Sequence, residues 1–185
     1  MKFSYIDLFL YGGLLLAAYL GYKGGFTKKL FNLLALLGSI VIATQLMKPV
    51  GGALIAAGFG ENIGYILGFA LVVAAIMTLT ISLYKRFGKI SVVKSSSQMF
   101  GVVLGVMEGC LIISLLLLAL RVFDMPARDT RTDSLLYKPL VNFAPKTLDL
   151  LRSYLPGASA FKEEVTDTFK DIDIFEYMPK PGRGI

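Results

Sequence analysis

Glu108 is the residue of this chain best placed to do chemistry, because its carboxylate interrupts an otherwise apolar run from Phe100 to Leu120. An ionised group in the middle of a membrane helix costs about 2.5–3.5 kcal/mol on insertion scales. Roughly a dozen Leu, Ile and Val neighbours, each gaining about 0.3–0.6 kcal/mol, offset that cost. The run still inserts, and the carboxylate should face protein, a polar pocket or a subunit partner. It serves either as a protonated or hydrogen-bonded packing residue or as a proton, ion or partner contact. No basic residue lies inside any apolar run to pair with it. Asp7, at the start of the first apolar run, suits a helix cap or the positive end of the helix dipole. Cys110 is the single cysteine, so it has no internal disulfide partner and no metal spacing around it. The chain has no histidine. That excludes the Ser-His-Asp and Cys-His nucleophile pairs and the HExxH zinc site. Lysine or carboxylate chemistry would need a constellation that the sequence does not contain. The expectation is a protein that is not an enzyme and holds no cofactor and no metal.

A second kind of site is built from small residues. Gly101, Gly105 and Gly109 form a doubled GxxxG, and Gly60, Gly64 and Gly68 repeat it. Apolar side chains gain little by leaving lipid tails that are equally apolar, so close backbone approach at small residues supplies much of helix contact. At one residue per 100°, the first three glycines span an arc of about 80°, and Glu108 lies about 20° outside it. Groove and carboxylate therefore share one surface. The expectation is a close contact between the third and fourth spans, with packing inside the monomer favoured over a homo-oligomer seam.

The elements that position these residues follow from the distribution of apolar side chains. The 185 residues are 55% hydrophobic and 17% charged, with a formal net charge of +6. Four apolar runs lie within 1–120, at about 5–22, 30–47, 63–84 and 100–120. Each approaches the ~20 residues that cross a ~30 Å hydrocarbon layer. A signal peptide competes for the first run. Its recurrent aromatics (Phe9, Tyr11, Tyr19, Tyr22) and the short basic turn after it favour a retained helix. Gly24 and Gly25 reverse the chain in that turn, whose lysines are expected in water as orientation determinants and headgroup contacts. Pro49 with Gly51 and Gly52 should end the second run. The fold class is thus all-α: an integral membrane four-helix transmembrane bundle with an amphipathic helical C-terminal tail.

Residues 1–120 carry nine Lys/Arg against three acids, and 121–185 carry ten of each. The basic residues sit in short loops beside apolar runs, which makes them topology signals and anionic-lipid contacts rather than nucleic-acid readers. The turn at 23–29 and the loop at 85–99 hold seven Lys/Arg and no acid. By the positive-inside rule both face the cytoplasm, and both termini are extracytoplasmic. In the tail, Leu135 to Phe143 and Leu148 to Leu155 are too short to span and suit a bilayer surface or the bundle itself. Phe161, Val165, Phe169 and Ile172 share a face of a segment running to Met178, with Glu163, Glu164, Asp167 and Asp171 elsewhere. Packing on its own protein is favoured there over partner docking.

Four features in this order resemble the colicin V production protein family. They are Asp7, the turn Gly21-Tyr22-Lys23-Gly24-Gly25-Phe26, the run Phe100 to Gly109, and the tail from Ser134-Leu135 to Pro145. The likeness covers about residues 6–156. It departs from the family where Ser97-Gln98 replaces an acidic-basic pair, where Glu108 stands in place of a frequent arginine, and near Lys29, where a glutamate is frequent. The resemblance implies a small multi-pass protein of the bacterial cytoplasmic (inner) membrane with a part in toxin production or export and in cell-envelope integrity. Its expected partners are the lipid bilayer and either an envelope protein or further copies of itself, with no nucleic acid. A membrane scaffold or accessory subunit leads, and a subunit of an oligomeric channel or transporter using Glu108 is the alternative.

Overall fold

The computed structural model describes residues 5–87, 96–151 and 160–169. Among them every regular element is helical: α1 (Tyr5–Ala56), α2 (Glu61–Phe87), α3 (Ser96–Val122), α4 (Arg128–Asp133), α5 (Tyr137–Val141), α6 (Phe143–Leu151) and α7 (Ala160–Thr168). Three helices are long and apolar enough to cross a membrane: Tyr5–Ala56, Glu61–Tyr84 and Gln98–Val122.

At 52 residues, a straight α1 would reach about 78 Å, more than twice the hydrocarbon thickness. It is not straight. Gly25 sits at φ 71 and ψ 170, a conformation with no room for a Cβ. The contacts along α3 show what this break does. Before it, Gly13 lies beside Ile113, Ala17 beside Gly105 and Gly109, and Gly21 beside Gly101 and Gly105. After it, Lys29 meets Glu108, and Met47 borders the same cavity as Leu118 and Val122. The first arm descends α3 and the second climbs it, so the chain doubles back at Gly25.

The second arm does not stop at Pro49. Helix continues to Ala56, although proline removes one backbone donor. The freed carbonyl is tolerated because the neighbouring turns stay packed. A Cβ on Gly68 would sit 2.7 Å from the nitrogen of Gly51, so α2 lies directly on this stretch of backbone. The helix ends one turn later, where Gly58 (φ 104) carries Gly58 N–H to Ile55 O (2.9 Å) and Phe59 N–H to Leu54 O (3.2 Å). This pair of bonds is the Schellman ending that a left-handed glycine makes possible. Pro49, Gly51 and Gly52 were expected to break the helix. The helix runs through all three, and Gly51 lies in its contact with α2.

α1 is the centre of the molecule, with α2 and α3 packed on it. One core joins Leu10, Leu36, Ile40 and Met47 of α1 to Leu111 and Leu118 of α3, and to Tyr137, Leu140, Val141, Ala144, Leu148, Phe161, Val165 and Phe169 of the tail. The tail thus shares the core of the apolar helices. α7 places Phe161, Val165 and Phe169 inward, with Phe169 edge-on to Tyr65 at 6.3 Å. Lys48 holds α7 from outside, 2.8 Å from both Glu164 and Asp167. Ile172, Asp171 and the segment to Met178 lie outside the described residues.

Candidate functional site

The glycine face of α3 is buried against the first arm of α1. A Cβ on Gly105 would lie 2.6 Å from the carbonyl oxygen of Ala17 and 2.7 Å from the Cα of Gly21. One on Gly101 would meet the backbone of Gly21 and Gly25, and one on Gly109 the side chain of Ala17. Phe26 and Phe100 close the turn end of this seam edge to face at 6.1 Å. The other glycine series goes elsewhere: Gly64 and Gly68 pack on Gly51 and Ile55 of α1, and Gly60 has only Ile63 near it. The expected contact between the two GxxxG series is therefore corrected. Each series packs on α1, and small residues there (Ala17, Gly21, Gly25, Gly51) complete both seams. The signal was in the sequence, since Ala17, Gly21 and Gly25 repeat at the same four-residue spacing.

Beside the seam, Glu108 has the basic partner that the apolar runs did not offer. Lys29 Nζ lies 2.6 Å from Glu108 Oε2, and both side chains are about nine-tenths buried. The expectation that all lysines of the turn stay in water fails for Lys29. It follows the break at Gly25 by one helical turn, so the climbing second arm carries its ammonium up to Glu108 on α3. At 2.6 Å the contact is a charge-assisted hydrogen bond. Pairing resolves the insertion cost of a lone carboxylate: neither ion faces lipid alone.

At the other end of the first arm, fully buried Asp7 serves the tail. Its carboxylate accepts Ser134 Oγ–H at 2.5 Å and the backbone N–H groups of Leu135 and Leu136 at 3.3 and 3.2 Å. Ser134 Oγ in turn accepts from Tyr137 N–H at 3.0 Å. Asp7 was expected to cap its own helix; these bonds make it an acceptor for a turn some 130 residues away. A third polar bridge comes from Ser114 on α3, which the sequence gave no reason to single out. Its hydroxyl donates to Val141 O (3.0 Å) and accepts from Ala144 N–H (2.9 Å). Replacing Asp7 with alanine leaves one hydroxyl and two backbone donors without this acceptor, at about 1–3 kcal/mol for each group that stays buried. Amide exchange across 134–151 should then accelerate strongly while α2 is unaffected; unchanged exchange would mean that apolar packing alone holds the tail.

Each of these residues falls within the stretch that matches a known family. The family model of the colicin V production protein covers residues 6–145, which includes the glycine seam, Lys29, Glu108, Asp7, Ser114 and Ser134. The chain belongs to the colicin V production protein family. No curated protein and no solved structure matches it. Family membership together with three apolar helices of spanning length makes this a membrane protein. The match ends at Pro145, before α7 and its contacts with Lys48. Among the described residues no group of three or more His, Cys, Asp or Glu is placed to hold a metal ion.

Proposed function

We propose that this colicin V production family member is a non-enzymatic four-span scaffold or accessory subunit of the bacterial inner membrane, acting in toxin production or export and in envelope maintenance. The four spans are the two arms of α1, α2 and α3, with the basic turn around Gly25 on the cytoplasmic side and both termini outside. The observation that carries the scaffold reading is the way the bundle is divided. α1, α3 and the tail are locked together by backbone contact and buried polar bridges. α2 packs on α1 at Gly64 and Gly68, and its far side leaves Leu67, Leu71, Leu79 and Leu83 exposed. A rigid body with a broad exposed apolar helix face suits a protein whose work is to hold another membrane protein. Photocrosslinkers at Leu71 and Leu79, both exposed on α2, should capture a discrete partner in native membranes. Crosslinks to lipid alone, together with a lone monomer in mild detergent, would remove the scaffold reading.

A second reading is favoured by the Lys29–Glu108 pair, which places two opposite charges deep among apolar helices. In an oligomer, such a pair is a binding position for a proton or an ion moving across the membrane. Glu108→Gln in proteoliposomes should then abolish proton or ion flux. Flux that is absent in the parent, or unchanged in the variant, rejects this reading.

A further inference from the structure

We propose that the tail segment from Ser134 to Leu151 is a re-entrant element that dips into one leaflet and presents its outer face to lipid acyl chains. This goes beyond the scaffold and channel readings and holds under either. The depth of the segment can be followed contact by contact along α3. Arg131 pairs with Asp124 at 2.6 Å, beyond the end of α3 at Val122. Ser134 to Leu136 are tied to Asp7, which lies one to two turns further out than Gly13 and its neighbour Ile113. Val141 and Ala144 reach deeper, to Ser114. Ser114 is six residues, about 9 Å, inside the end of the apolar run at Leu120. α6 then turns back.

The chemistry at the deepest point matches that depth. α5 ends at Val141 and α6 starts at Phe143, so the helical ladder is broken there. Non-helical backbone at membrane depth is tolerated only where protein satisfies the freed groups. Fully buried Ser114 does so with a single hydroxyl, donating to one side of the break and accepting from the other.

The outer face is suited to a bilayer. Leu135, Pro139 and Leu150 are exposed. Lys138 and Lys146 are exposed beside them, with stems long enough to reach up to headgroup phosphates. With Asp149 also exposed, the segment from Ser134 to Leu151 carries a net charge of +1 towards an anionic leaflet. Ile112 and Leu116 of α3, two residues either side of Ser114, are exposed as well.

The test uses the full chain with Cys110→Ser and a single new cysteine, Pro139→Cys near the break or Asp133→Cys at the entry. Each is reconstituted in vesicles of phosphatidylcholine and phosphatidylglycerol. A fluorophore at position 139 should be quenched by nitroxides on the acyl chains, whereas one at 133 should respond mainly to a water-soluble quencher. The thiol at 139 should react with a charged maleimide about tenfold more slowly than the thiol at 133. Equal, fast reaction at both positions overturns the proposal. So does a thiol at 139 that is shielded yet not quenched from the acyl chains, because protein would then cover it. Ser114→Leu should raise reactivity at 139 towards that at 133, while Ser114→Thr, which keeps the hydroxyl, should not. If Ser114→Leu leaves position 139 shielded, the hydroxyl bridge does not set the depth.

Discussion

Replacing Gly105 with alanine will lower the stability of the protein by about 1–3 kcal/mol, and leucine at the same position will prevent the first arm of α1 from seating on α3. The added Cβ would lie 2.6 Å from one backbone atom and 2.7 Å from another. Neither belongs to a flexible side chain that can swing away, so the two helices must separate. Separation removes dispersion contacts along the whole seam, and in lipid no gain in solvent entropy replaces them. Gly12, Gly38 and Gly52 supply the controls, since a Cβ at each meets nothing within 4 Å. Alanine there should be neutral or stabilise by up to about 1 kcal/mol through helix propensity. Denaturation midpoints in mixed micelles compare the four variants directly. Gly105→Ala melting with Gly38→Ala would show that the seam is not close-packed.

The helices themselves were legible because lipid imposes length and apolarity on whatever crosses it. The runs expected at 63–84 and 100–120 are found as α2 and α3, each extended by a few residues at its ends. The reversal near Gly25 was legible for a local reason, since paired glycines free the backbone to turn. What the sequence could not announce was which surface meets which. A GxxxG series says that a face is small, and every small face in this chain is an eligible partner for it. The same ambiguity hid Ser114, because a serine in an apolar run reads as a helix residue bonded to its own backbone. Ser39 and Thr44 are in fact of that kind, donating to Leu36 O and Ile40 O. Lys29 was concealed by its address in a basic turn. Its one clue was indirect: the resemblance departs from its family at Glu108 and near Lys29 in opposite senses of charge.

The Lys29–Glu108 pair yields a prediction with a distinctive pattern of signs. Glu108→Leu alone should destabilise the protein by about 3–5 kcal/mol, because it leaves the Lys29 ammonium buried without a counter-ion. Lys29→Met should cost a similar amount by stranding the carboxylate. The double variant Lys29→Met with Glu108→Leu removes both desolvation costs and keeps most of the volume. It should recover the stability of the parent or exceed it, since well-packed apolar replacements of buried ion pairs are often neutral or stabilising. The exchanged pair, Lys29→Glu with Glu108→Lys, should fall between the singles and the parent, as the same attraction is restored in a cavity shaped for the reverse order. Unfolding free energies from a double-mutant cycle in micelles or bilayers measure all four. Additive single and double effects would mean that the two groups do not interact, and the contact at 2.6 Å would have no energetic meaning. Rescue by the apolar pair gives the cycle a further use. If that variant folds but loses its biological activity, the charges are retained for function and not for stability.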